Sequence, residues 1–214
     1  MPSLPNAFQL PRFYPIVDTV ALAARGWSAL GFAEALLAAG VRILQYRHKE
    51  AWSQRHFNEA KSFAASAKSA GALFVVNDRV DFANLLDAAV HLGQTDLPPV
   101  AARKIVAEGI IGLSTHNRPQ MDRANEEPVN YLAIGPIYAT KSKARPDPVV
   151  GVDGLRSMRK LTSKPLVAIG GITLENASEV LEAGADSVAT VAGILPAELE
   201  QVQSLAVEWL GRTS

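Results

Sequence analysis

Eight short apolar runs, spread from one end of the chain to the other, limit what it can fold into. They are Phe13 to Val17, Val41 to Gln45, Leu73 to Val76, Ala89 to Leu92, Ile110 to Leu113, Tyr131 to Ile134, Leu166 to Ile169 and Ser187 to Val191. Each is close to continuously hydrophobic instead of alternating, as a parallel strand covered on both faces requires. Stretches with helical spacing lie between them, such as Phe32, Ala35, Leu36 and Ala39, or Phe57, Ala60, Phe63, Ala64 and Ala67. Several of these end on a small residue or acid followed by glycine: Ala39-Gly40, Ala70-Gly71, Glu108-Gly109 and Ala183-Gly184. Glycine past a helix end takes positive φ and turns the chain back toward the sheet. Eight repeats of strand, loop, helix and glycine favour a closed α/β barrel, (β/α)8, over an open doubly wound sheet, although spacing alone does not separate the two.

With 214 residues and 48% hydrophobic content, the chain suffices for one core of this kind. The expected organisation is a single domain over residues 1–214, with an N-terminal extension at 1–11 and an active-site loop at 136–153. Lys+Arg and Asp+Glu both number 21, so there is no broad positive field of the sort that holds nucleic acid or an anionic membrane. The absence of cysteine removes disulfides, thiolate nucleophiles and Cys-bound metals. There is no apolar run of about 18 residues to span a bilayer. A cytoplasmic enzyme acting on small molecules is expected, with homo-oligomer formation left open.

In a parallel barrel every strand end opens onto one face, and the polar residues follow the strands. Gln45, Arg47 and Lys49 come after the second, Asn77 and Asp78 after the third, and His91, Gln94 and Asp96 around the fourth. Ser114 and His116 follow the fifth, Thr140 and Lys143 the sixth, and Gly170-Gly171 the seventh. Carboxylates beside cations suit a pyrophosphate bridged to Mg²⁺. Each piece also has a plainer reading. Arg47 and Lys49 could be solvated charges, Asn77-Asp78 a helix cap, His91 a buried structural histidine and Gly170-Gly171 a tight turn. Ser114 and His116 are the one plausible nucleophile and base pair on this face.

Taken together, Gln45-x-Arg47-x-Lys49, Asn77-Asp78-Arg79, His91-Leu92-Gly93-Gln94-x-Asp96, Gly112-x-Ser114-x-His116, Gly135-Pro136-Ile137-x-x-Thr140-x-x-Lys143 and Gly170-Gly171 resemble the thiamine phosphate synthase family. The resemblance runs from Tyr14 onward. It implies a transferase that condenses an aminopyrimidine diphosphate with a thiazole phosphate and releases pyrophosphate through a pyrimidine carbocation. It implies Mg²⁺ on Asp78 and Asp96; Arg47, Lys49, Asn77 and Lys143 on the diphosphate; Gln45 and Ser114 at the pyrimidine; and Thr140 with the Gly171 backbone at the thiazole phosphate. Arg47, Lys49, Ser114 and Lys143 are its candidate catalytic residues.

Three positions depart from the family pattern. Tyr46 and His48 stand where Leu and an acid are common, and the Tyr46 ring is expected either to fill the barrel or to cover the pyrimidine pocket. Ala192 stands where Ser is usual, so the thiazole phosphate is expected to depend on backbone N–H groups. Two other activities share the fold: a thiazole tautomerase with His116 as acid and base, and a non-catalytic phosphate-ligand sensor. Gln94-x-Asp96 and Thr140-x-x-Lys143 count against the tautomerase, which has no diphosphate to hold.

Overall fold

The computed structural model describes residues 9–140 and 147–214. Eight strands, β1 (Phe13–Asp18), β2 (Ile43–Arg47), β3 (Leu73–Asn77), β4 (Ala89–Leu92), β5 (Ile111–Thr115), β6 (Tyr131–Ile134), β7 (Leu166–Ile169) and β8 (Ser187–Thr190), close into a parallel barrel in sequence order. Around them lie α1 (Thr19–Ala23), α2 (Ala29–Ala38), α3 (Gln54–Ser69), α4 (Val80–Leu85), α5 (Pro99–Val106), α6 (Arg118–Glu126), α7 (Gly151–Arg159), α8 (Ala177–Glu182) and α9 (Val202–Thr213). This is the closed alternative. No helix among the described residues is long and apolar enough to cross a membrane.

Alternation along each strand divides the apolar residues into two layers. Tyr14, Ile16, Ile43, Val75, Ala89, Tyr131, Ala133, Val167 and Ala189 form the cluster inside the barrel. Their neighbours Phe13, Val17, Leu44, Tyr46, Phe74, Val76, Val90 and Leu132 face the helices. Leu10 belongs to the inner cluster, so the described end of the N-terminal extension helps fill the barrel. Near the chain's other end, Trp209 of α9 is fully buried, stacks on Phe13 at 4.9 Å and donates its indole N–H to the Gly193 carbonyl.

Four strands run further into polar sequence than their apolar stretches predict, ending on Asp18, Arg47, Asn77 and Thr115. Parallel pairing continues across them, with Asp18 opposite Arg47 and Asn77 opposite His91. These four residues at the mouth therefore stand on hydrogen-bonded strands, which hold a side chain more firmly than a loop does. β2 also begins two residues later than expected, because the Val41 amide is spent on the Leu36 carbonyl closing α2.

The glycine rule holds at Gly40, Gly71 and Gly184, all at positive φ. It fails at Gly109. There α5 has already ended at Val106, and Ala107 takes the turn at φ 42. The irregular segment expected over 136–153 is shorter, since α7 begins at Gly151.

Candidate active site

The strand ends surround a cavity of about 650 Å³. Of the residues assigned from sequence, Gln45, Arg47, Lys49, Asn77, Asp78, Asp96, Ser114, Thr140 and Gly171 all line it. Lys143 lies outside the described residues.

Charge is concentrated on the side built by β1 to β4. The Arg47 guanidinium pairs with Asp18, whose other oxygen accepts from the Ala21 amide and caps α1. Lys49 Nζ lies 2.5 Å from Asp78 Oδ2, and the Asp78 carboxyl also hydrogen-bonds to Asp96. Burial first and Asp96 second push the Asp78 pKa up to about 6, with Lys49 pulling the other way. Asp96 Oδ2 also accepts from the Gly93 amide at 2.7 Å, which orients its carboxylate. Asp78 does not cap a helix: α4 has Arg79 at its cap position and no capping side chain. Asp78 sits instead at φ 64, a left-handed conformation that a short polar residue adopts at some cost.

A hydrogen-bonded network crosses the barrel beneath these charges. Gln45 Nε2 donates to the Tyr14 hydroxyl at 2.9 Å, and the Tyr14 and Tyr131 hydroxyls are 3.2 Å apart. Tyr131 reaches His91 Nδ1 at 3.0 Å, and His91 Nε2 reaches Ser114 Oγ at 2.8 Å. Burial pushes the pKa values of both tyrosines up, so they remain phenols. Gly112 makes room for this arrangement, because a Cβ there would lie 2.1 Å from the Tyr131 ring.

Two sequence expectations change here. Ser114 is bonded to His91, whereas His116 Nδ1 reaches the Gly135 carbonyl at 2.6 Å and its Nε2 lies 3.5 Å from Asp147, so Ser114 and His116 are no nucleophile and base pair. The Tyr46 ring neither fills the barrel nor covers the cavity. It points outward among Trp52 and Phe63, with its hydroxyl donating to Glu59 at 2.6 Å. Alternation from inward Gln45 would have given that direction. Sequence reasoning also missed Asp18, Tyr14 and Tyr131. Asp18 could have been found by extending the strand-end pattern to the first strand; the tyrosines looked like ordinary core.

The far side, built by β6 to β8, is mostly backbone. Gly170 and Gly171 have φ 99 and 66, and a Cβ on Gly171 would lie 2.7 Å from the Ala139 carbonyl oxygen. Beside Ala192, the Gly193 amide donates to Thr190 Oγ1 at 3.0 Å, so this N–H is already engaged.

Comparison with known proteins decides which family carries this arrangement. A family described as thiamine monophosphate synthase matches residues 13–194. The chain belongs to the thiamine monophosphate synthase family. It is 48% identical over 194 residues to the thiamine-phosphate synthase of Koribacter versatilis, covering 89% of this chain and 92% of that one. It is 39% identical over 188 residues to the thiamine-phosphate synthase of Chloroflexus aurantiacus, covering 87% and 86%. The solved thiamine phosphate pyrophosphorylase from Pyrococcus furiosus superposes with a TM-score of 0.84 at 30% identity, over 94% of this chain and 95% of that one. Family membership thus spans the same strand ends that form the cavity.

Proposed function

We propose that this chain is a thiamine-phosphate synthase, a transferase that joins an aminopyrimidine diphosphate to a thiazole phosphate and releases pyrophosphate. The carrying observation is the row Lys49, Asp78 and Asp96 at the cavity mouth beside Asn77, whose buried Nδ2 has no hydrogen-bond partner. Buried polar groups are nearly always satisfied, and a phosphate oxygen is a fitting acceptor for this one.

The donor set fits Mg²⁺. Two adjacent carboxylates, one of them holding its proton to about pH 6 beside the other, are what a divalent cation would relieve. Among the described residues no group of three or more His, Cys, Asp or Glu is arranged to hold a metal ion, so water and diphosphate oxygens would complete the coordination of an ion held by Asp78 and Asp96. Bound there, the cation would supply Lewis-acid stabilisation of the departing pyrophosphate.

The residues supply the rest. Arg47, Lys49 and Asn77, together with Lys143, hold the diphosphate and stabilise the charge that grows as the C–O bond breaks and its electron pair leaves with pyrophosphate. The pyrimidine's amino group feeds electrons to the methylene carbon left behind. Gln45, anchored through Nε2, offers its amide oxygen to that amine, and Ser114, oriented by His91, bounds the ring. Thr140 and the Gly171 backbone receive the thiazole phosphate. The thiazole nitrogen then forms the new C–N bond with its own lone pair, so the site requires positioning and no strong base.

Incubation with both substrates and Mg²⁺ tests this. Thiamine phosphate and pyrophosphate should appear in equal amounts. Tautomerisation of the thiazole with no pyrophosphate would replace the assignment, and binding without turnover would favour a sensor.

A further inference from the structure

His48 lies between Arg47 and Lys49 but takes no part in the cavity lining; it is 6% exposed. Alternation turns it away from the two cations. Its Nδ1 is 2.7 Å from the Thr19 hydroxyl, its Nε2 is 3.4 Å from the Ala51 carbonyl, and its ring stacks on His56 with centroids 3.9 Å apart. A hydroxyl both donates and accepts, so the Nδ1–Thr19 contact is a hydrogen bond whichever ring nitrogen carries the proton. The same Thr19 oxygen lies 3.4 Å from the Arg47 carbonyl. His56 accepts the Ser53 amide at Nδ1 over 3.1 Å, within the capping box that starts α3. Burial and then the neighbouring His48 lower the His56 pKa, which keeps that nitrogen available.

The turn from β2 is therefore held on two sides. Thr19, the first residue of α1, fastens His48 and approaches the Arg47 backbone; His56, in the first turn of α3, supports the other face of the ring. Asp18, immediately before Thr19, meets the Arg47 guanidinium. The backbone and the side chain of Arg47 are thus set by adjacent residues of one helix start.

We infer that His48 is a positioning residue for the pyrophosphate leaving group: clamped between Thr19 and His56, it fixes the turn that aims Arg47 and Lys49. This rests on the reading that those two cations hold the diphosphate. The part of His48 that matters is Nδ1, because it alone meets Thr19.

Three variants of the full chain separate positioning from simple packing. His48→Asn places an amide near the Nδ1 position, His48→Gln places one toward Nε2, and Thr19→Val removes the hydroxyl with little change of shape. In steady-state assays, KM for the pyrimidine diphosphate should rise about fivefold in Thr19→Val and His48→Gln, the loss of one hydrogen bond. His48→Asn should stay within about twofold of the parent, and KM for the thiazole phosphate should not change in any of them. Calorimetric titration with inorganic pyrophosphate and Mg²⁺ should give the same order of affinities without turnover. Equal affinities in Thr19→Val and the parent overturn the inference, as does a uniform rise in both KM values, which marks a packing defect. If the parent binds pyrophosphate but forms no thiamine phosphate, the order of affinities still decides the role of His48, and it is the synthase assignment that fails. If the parent forms thiamine phosphate and Thr19→Val binds pyrophosphate normally, the assignment stands and the positioning role falls.

Discussion

The two sides of the barrel mouth solve phosphate recognition with different materials. On the side of β1 to β4 the cavity is lined by Arg47, Lys49, Asp78 and Asp96, with Asp18 backing Arg47. On the side of β6 to β8, Asp147 is the one charged residue lining the cavity among those described, and Gly135, Gly170, Gly171 and Gly193 line it too. The contrast follows the proposed chemistry. A leaving diphosphate gains charge in the transition state, and opposing charges stabilise that change. A phosphate that stays esterified throughout needs equal binding before and after, which close backbone approach provides. Removing a charged group from the first side should therefore appear chiefly in kcat, loosening the aim of its cations in the diphosphate KM, and damage to the second side in the thiazole phosphate KM.

The largest effect should come from Asp96→Ala. It removes one of two carboxylates proposed for the cation and leaves Asp78 to Lys49 alone, so kcat should fall by about 10²–10³ while the fold persists. Circular dichroism and a pyrophosphate-release assay check both parts; a rate within a few-fold of the parent would remove charge stabilisation from this side.

Gly171→Ala is the matching perturbation across the mouth. At φ 66, with its new Cβ 2.7 Å from the Ala139 carbonyl oxygen, alanine cannot sit without a local shift. KM for the thiazole phosphate should rise about tenfold or more while the KM for the pyrimidine diphosphate stays near the parent value. A fall in kcat with both KM values unchanged would contradict the division of labour.

Why the sides differed in how readable they were is a matter of side-chain chemistry. Arg47, Lys49, Asp78 and Asp96 are conspicuous in sequence because ionised groups are seldom placed without partners, and strand ends in a parallel barrel converge. All eight strands could be placed because fully buried strands are continuous apolar runs. Tyr14 and Tyr131 could not be singled out. A phenol in an apolar run signals packing, and its hydrogen bond to a residue 117 positions away depends on barrel closure. Gly109 misled for the opposite reason, since local sequence suggested a turn that Ala107 takes instead.

Asp78 offers a thermodynamic view of the charged side. Its folded pKa of about 6 lies above the ordinary carboxylate value of 3.8, so the folded chain holds its proton more tightly than the unfolded chain. Its contribution is then favourable at low pH and is lost as pH rises from about 4 to 6. In cation-free buffer at pH 7.5, Asp78→Asn should melt at a higher temperature than the parent, and the gap should close near pH 4. Added Mg²⁺ with pyrophosphate should raise the melting temperature of the parent and much less that of the variant. A variant less stable than the parent at pH 7.5 would mean that the Lys49 pair outweighs desolvation.

The smallest effect is expected at Ala192, where the backbone side can be tested by adding a side chain. The Gly193 amide is engaged by Thr190 Oγ1, so fewer free N–H groups face the phosphate than a purely backbone site would offer. Ala192→Ser adds a hydroxyl at a residue that lines the cavity and opens the short helical turn Ala192–Ile194. One added neutral hydrogen bond should lower KM for the thiazole phosphate about two- to fivefold and leave kcat and the diphosphate KM unchanged. An unaltered KM would mean that Gly171 and its neighbours already saturate the phosphate, so the far side is complete without a hydroxyl at this position. A gain well beyond that range would place the thiazole phosphate nearer Ala192 than Gly171, and move the boundary between the two sides.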